Sequence, residues 1–168
     1  MKALAELIFI SEIIFQSKIA QRAAEDLLAT HDNFDPIDVW RSIQSVLVAA
    51  GNVSKILWPQ KKYAKRGKLL RSMLNIEEGN LLSDRKFRNH FEHYDERIEE
   101  WFEKNSSASY RDPVIDPFRP IWGKLTVRHR AYNPLTQVLT FRGESVDLGE
   151  VLKVMEDIRH KCNRFALP

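Results

Sequence analysis

The chain has 168 residues, 43% hydrophobic and 29% charged, with a formal net charge of +3. That is enough for one domain with its own core, and the composition excludes a disordered, collagenous or low-complexity chain. Cys162 is the single cysteine, which excludes an internal disulfide and a thiolate metal cluster and fits a reducing cytoplasm.

Residues 2–29 contain no Pro or Gly, and Leu4, Leu7, Ile8, Ile14, Ile19, Ala23, Leu27 and Leu28 recur at helical spacing, so the first element is a long helix. Its opening run ALAELIFISEIIF resembles a leader or anchor. Glu6 and Glu12 interrupt it and no small-residue cleavage site follows, so neither secretion nor membrane insertion is expected. Asp35 as a cap and Pro36 in the first turn open a second helix, with Val39, Trp40, Ile43, Val46, Leu47 and Ala50 as its inner stripe. Gly51 ends or bends it, and Ile56, Leu57 and Trp58 carry apolar character to Pro59. A third, basic helix runs from about Lys61 to Leu74, with Gly67 an unfavourable interior residue.

The fourth helix runs from Ser83 or Asp84 to Lys104. At helical pitch Phe87, Phe91, Tyr94, Ile98, Trp101 and Phe102 share one arc of about 100°, the core face. Arg88, Asn89, Glu92, His93, Asp95, Glu96, Glu99 and Glu100 lie opposite, with His90 at the border. Residues 109–123 form a Pro-rich connector that lays Ile115, Phe118, Ile121 and Trp122 on the helices. Residues 124–144 alternate around the turn NPLT and read as a β-hairpin, with His129 and Ala131 on one side and Arg128, Arg130 and Tyr132 on the other. Residues 145–168 close the chain as a helix with Val151, Leu152, Met155, Ile158 and Cys162 inward. The expected fold is mainly α: a single domain over 1–168, with the helices of 1–108 and the closing helix in a four- to five-helix antiparallel up-and-down bundle, and a small β-hairpin before the last helix. Trp40, Trp58, Trp101 and Trp122 read as core anchors, and His31 and His129 as structural histidines.

Charge is segregated. No acidic residue lies between Asp38 and Glu77, a stretch holding Arg41, Lys55, Lys61, Lys62, Lys65, Arg66, Lys68 and Arg71. Carboxylates crowd 92–103, with Arg97 the one cation among them. The pattern means either a polyanionic partner or two elements of one fold attracting each other.

One stretch, RNHFEH at 88–93, places an arginine, a polar residue directly after it, three further positions and a histidine on the fourth helix. These three residues, Arg88, Asn89 and His93, resemble the signature of the HEPN superfamily, carried on one helix of a small bundle. The resemblance implies a metal-independent ribonuclease, or a degenerate relative that only binds RNA or nucleotide, acting as a homodimer, often in toxin, abortive-infection or antiviral systems with a cognate antitoxin or protein partner. It makes Arg88, Asn89 and His93 the catalytic set, without cofactor or metal.

The chemistry fits those residue types. Cleaving RNA through its own 2′-hydroxyl needs a group that moves a proton near neutral pH, as His93 does, and a cation that grips phosphate oxygens, as Arg88 does. Asn89 orients either. A five-residue gap sets Arg88 and His93 about 140° apart on an unbroken helix, so a second protomer is needed to close the site. Lys61, Lys62, Lys65 and Arg66, and the alternating Arg128 and Arg130 of the hairpin, are candidate RNA contacts, with Glu92 and Glu96 supporting His93. Carboxylates on the same face oppose phosphate. The competing reading is a non-catalytic helical module whose polar face is a protein interface or an exposed surface with ordinary i, i+4 pairs. His90, His93, Asp157 and His160 suggest a two-helix metal site, but the Glu-x-x-His pair of di-iron bundles is missing from 87–90. Gly67–Lys68 lacks the earlier glycine of a phosphate loop.

Overall fold

The computed structural model describes residues 3–32, 35–84, 89, 92–105, 110, 112–115 and 128–165. Within them the chain forms α1 (Ala3–Ala29), α2 (Pro36–Leu57), α3 (Ala64–Met73) and α4 (Tyr94–Lys104), then β1 (Val114–Ile115), β2 (Arg130–Asn133), β3 (Val138–Phe141), β4 (Glu144–Asp147) and the closing α5 (Leu148–Asn163). The mainly helical class read from the sequence is what the structure has.

α2 begins where local chemistry directs. At α2 the Ile37 and Asp38 N–H groups donate to Asp35 Oδ1 at 2.8 and 3.2 Å, with Pro36 at the first turn, as the cap motif requires. Its predicted stripe from Val39 to Ala50 is buried throughout. Gly51 neither ends nor caps this helix, which continues to Leu57 and stops ahead of Pro59. Gly67 in α3 has a packing reason. A Cβ there meets the Pro59 ring and comes within 2.6 Å of the Leu57 carbonyl oxygen, so the glycine lets α3 cross the end of α2.

α1 packs against α2 and α5, and its buried apolar residues are Ile10, Ile13, Ala20, Ala23 and Leu27. The stripe expected on α1 is partly corrected: Leu4, Ile8 and Leu28 are exposed. The N-terminal half of this helix is apolar over most of its circumference, so spacing alone selects no single face. In α5, Val151, Met155, Ile158 and Cys162 are buried as expected, with Leu152 partly so. Burial pushes the Cys162 thiol up to about 12, which keeps it protonated and unreactive. Trp40, Trp58 and Trp101 are buried anchors, while Trp122 lies outside the described residues.

The expected hairpin is part of a four-stranded sheet ordered β1-β2-β3-β4. β2 and β3 pair antiparallel from Arg130 opposite Phe141 to Asn133 opposite Val138, and β3 pairs with β4 in the same sense. β1 lies parallel to β2, Val114 opposite Ala131, inside the stretch expected to be an irregular connector. Arg142 (φ 52°) and Gly143 (φ 86°) have consecutive positive φ values and turn the chain back tightly, the geometry that matches strand twist. Ser145–Asp147 therefore extend the sheet, and the last helix starts at Leu148 and not at residue 145. Asp147 Oδ1 caps it by accepting the Glu150 N–H at 3.1 Å.

β2 also departs from simple alternation. His129, Ala131 and Tyr132 are all buried, and the Arg130 side chain is only 11% exposed. The strand sits between β1 and β3 with both faces covered, so Arg130 is an interior residue and not part of a solvent-facing basic ribbon.

A second correction concerns the fourth helix, expected without a break from 83 or 84 to 104. Leu81–Ser83 is a single 3-10 turn, Glu92 is helical, and His93 is a turn residue (φ −115°, ψ 41°) immediately before α4. Of the expected core arc, Trp101 is buried, Tyr94 and Ile98 are half-buried and Phe102 is exposed, while Phe87 and Phe91 lie outside the described residues. α4 is held by an aromatic group beside the sheet: Trp101 meets Tyr110 at 4.8 Å, Tyr94 stacks on His129 at 5.6 Å, and His129 meets Phe141 edge-on at 4.9 Å. Among the described residues no helix is long and apolar enough to cross a membrane.

Candidate functional site

Asn89 and His93 are both exposed, and the His93 N–H donates to the Asn89 carbonyl at 3.0 Å, so the two lie one turn apart. The His93 carbonyl then accepts the Arg97 N–H at 3.1 Å. The imidazole is half-exposed, with Nδ1 3.3 Å from Glu96 Oε1. Glu92, one residue earlier, takes the Lys55 ammonium of α2 at 2.5 Å. Arg88 and His90 lie outside the described residues. The angular separation worked out for an unbroken helix does not carry over, because the backbone departs from helical geometry at His93.

The candidate RNA contacts divide. Lys61 and Lys62 are exposed in a 3-10 turn (Lys61–Tyr63) ahead of α3, and Lys65 is exposed in the first turn of α3. Arg66 lies over the Phe9 ring at 4.5 Å and donates to the Lys55 carbonyl at 3.1 Å, which makes it a packing cation. Arg128 is half-buried at the edge of β2. Among the described residues no three His, Cys, Asp or Glu side chains converge as metal ligands, and His160 sits 2.8 Å from Glu156 on its own helix.

Arg130 belongs to a buried network that the linear sequence does not reveal. Its Nη2 and Nε hold Asp112 Oδ2 and Oδ1 at 2.8 and 2.9 Å. The Tyr94 hydroxyl donates to Asp112 Oδ2 at 2.6 Å and receives Arg130 Nη2 at 3.1 Å. The guanidinium contacts two rings, with its carbon 4.2 Å from the Tyr94 centroid and 5.2 Å from that of Trp40. Tyr110 Oη is 3.1 Å from His129 Nδ1 in the same group. Burial raises the Asp112 carboxyl, but the Arg130 and Tyr94 hydrogen bonds and the Arg130 charge outweigh it and hold the group below its ordinary value. Burial and the Asp112 hydrogen bond push Tyr94 upward, so its hydroxyl stays protonated and keeps donating. Asp112 reaches Arg130 because the parallel pairing of β1 with β2 sets the residues just before Val114 alongside those just before Ala131. Asp112 sits ahead of a proline in a segment without helical or strand periodicity, and its tie to residue 130 depends on tertiary pairing.

This network forms one wall of a cleft of about 410 Å³. Gln44, Leu47, Val48, Gly51, Asn52 and Lys55 lie on one face of α2, at helical spacing, and form the opposite wall. Glu92 and Tyr94 complete it, so His93 is the residue between two that line the cleft.

No family model, curated protein or solved structure matches this chain. The functional reading therefore rests on these residues.

Proposed function

We propose that this chain acts on RNA as an HEPN-like, metal-independent endoribonuclease. His93 is the proton-transfer group, Arg88 the phosphate clamp and Asn89 the orienting residue. The observation that supports this is the placement of His93: an accessible imidazole at a break in the helix, one turn from Asn89, with Nδ1 3.3 Å from Glu96 and a chain neighbour on each side that lines a cleft.

With Nδ1–H directed at Glu96, Nε2 is left as the acceptor. It takes the proton of a ribose 2′-hydroxyl as the 2′-oxygen bonds to phosphorus. The bond from phosphorus to the 5′-oxygen breaks, giving a 2′,3′-cyclic phosphate and a 5′-hydroxyl. The leaving oxygen receives its proton from the equivalent histidine of a second protomer, which makes the active form a homodimer of up-and-down bundles. Lys61, Lys62 and Lys65 draw in the strand. A toxin or defence setting in the cytoplasm, with a cognate protein that restrains the activity, belongs to the same proposal.

The test is cleavage of single-stranded RNA in EDTA. His93→Ala lowers the rate by about 10² or more, and Arg88→Ala abolishes it, with the thermal unfolding of both variants unchanged. Equal degradation by wild type and both variants identifies a contaminating nuclease and removes the catalytic claim. A non-catalytic interaction module is the second reading, favoured by the exposed carboxylates Asp95, Glu96, Glu99 and Glu103 on the outer side of α4. It predicts that Glu99→Lys weakens a protein complex while RNA stays intact.

A further inference from the structure

The cleft between α2 and the Tyr94–Arg130 wall differs in character from the basic surface around Lys61. Its charges are already matched, Lys55 by Glu92 at 2.5 Å and Arg130 by Asp112 at 2.8 Å, so the interior carries no excess charge to attract a phosphate. What remains unengaged among the described residues is directional: the Gln44 side-chain amide, Asn52 Oδ1, whose own Nδ2 donates to Gln16 at 3.2 Å, and Arg130 Nη1. Leu47, Val48 and Gly51 supply an apolar wall between them. The guanidinium is fixed by Asp112 and Tyr94 and has the Tyr94 and Trp40 rings beside it, so hydrogen bonding by Nη1, not stacking, is what it brings to the cleft.

A rigid donor, an amide that both donates and accepts, a carbonyl-type acceptor and an apolar wall, in a volume of about 410 Å³, match a neutral planar heterocycle read along its edge. We infer that this cleft is a base pocket, holding one nucleobase of the strand whose phosphate lies at His93. The polynucleotide in this inference comes from the ribonuclease reading, and the pocket comes from the cleft. Glu92 and Tyr94 both line the cleft and flank His93 in the chain, which is the link between the pocket and the phosphate of the ribonuclease reading.

The experiment is isothermal titration of the full chain with the 5′-monophosphates of adenosine, guanosine, cytidine and uridine, and with ribose 5-phosphate, run beside the RNA cleavage assay. Val48 is exposed at the cleft wall, so Val48→Trp fills the space at low risk to the core, and a thermal melt verifies that it folds. Gln44→Ala, also at an exposed position, removes one edge contact. One nucleotide is expected to bind about tenfold tighter than the weakest, ribose 5-phosphate not to bind, Val48→Trp to abolish binding, and Gln44→Ala to narrow the preference by about threefold to tenfold. Equal affinity for all four nucleotides and the sugar phosphate, or binding unchanged in Val48→Trp, overturns the pocket. Cleavage that depends on His93 with binding indifferent to Val48→Trp removes the pocket and leaves the ribonuclease. Nucleotide binding lost in Val48→Trp, without any cleavage by wild type, supports the pocket and removes the catalysis.

Discussion

Asp112 and Arg130 are a salt bridge taken almost wholly out of water, with side chains 2% and 11% exposed. Removing one partner strands the other. Asp112→Ala is expected to cost about 3–5 kcal/mol in urea denaturation, while Asp112→Leu combined with Arg130→Met costs less than either single change, because an apolar pair carries no desolvation penalty. The pH dependence follows from the depressed carboxyl of Asp112. The unfolded chain binds its proton first, near pH 3.9, so the contribution is fully present above that pH and is lost as pH falls through the lower folded value. Wild type therefore loses stability through this acid limb and Asp112→Ala loses less, which acid titration of the unfolding midpoint measures. At Gly67 the crossing of α3 over Leu57 and Pro59 leaves no room for a methyl group. Gly67→Ala is expected to destabilise by about 1–3 kcal/mol despite alanine's higher helix propensity. The sequence flags Gly67 as anomalous, but the reason lies in a neighbour ten residues away.

The start of α2 was readable because a side chain caps its own helix, whereas α5, also capped by its own side chain, starts three residues later than expected. Asp35→Ala is expected to cost about 1 kcal/mol, seen as a lower midpoint in thermal unfolding, since Asp35 Oδ1 accepts the N–H groups of both Ile37 and Asp38. The fourth helix was less legible. Its 3.6-residue recurrence runs through His93, yet the backbone leaves helical geometry there. Flanking side chains are held in different places, Glu92 by Lys55 on α2 and Tyr94 by Asp112 beside the sheet. Those anchors come from distant parts of the chain, and a local pattern does not register them. β4 was missed for another reason: Arg142–Gly143 is an uncommon residue pair for a turn with two positive φ values. Further along the same chain α4 is clamped to the sheet, as Glu100 bridges Arg97 at 2.6 Å and Arg142 at 2.5 Å, so the Arg142 turn also serves as a docking point.

On the scale of the whole molecule, the segregated charge is divided between internal pairs and exposed side chains. Part of it is internal, as in Lys55 with Glu92. Part faces solvent, as in Lys61, Lys62 and Lys65. If the exposed lysines track an RNA backbone, replacing all three with alanine flattens the dependence of log affinity on log salt by about 0.7 per lost phosphate contact, measured by fluorescence anisotropy over a salt series. Length, composition and periodicity were sufficient for the mainly helical class, the buried stripe of α2, the inner face of α5 and the outward carboxylates of α4, because each follows from side chains a few positions apart on one regular element. They were also sufficient to pick out Asn89 and His93 as polar neighbours on an exposed face. The cleft, the pairing of Asp112 with Arg130 and the interior position of Arg130 arose only on folding. Strand pairing and helix crossing join residues far apart in the chain, and burial there reverses the role a charged side chain has at the surface.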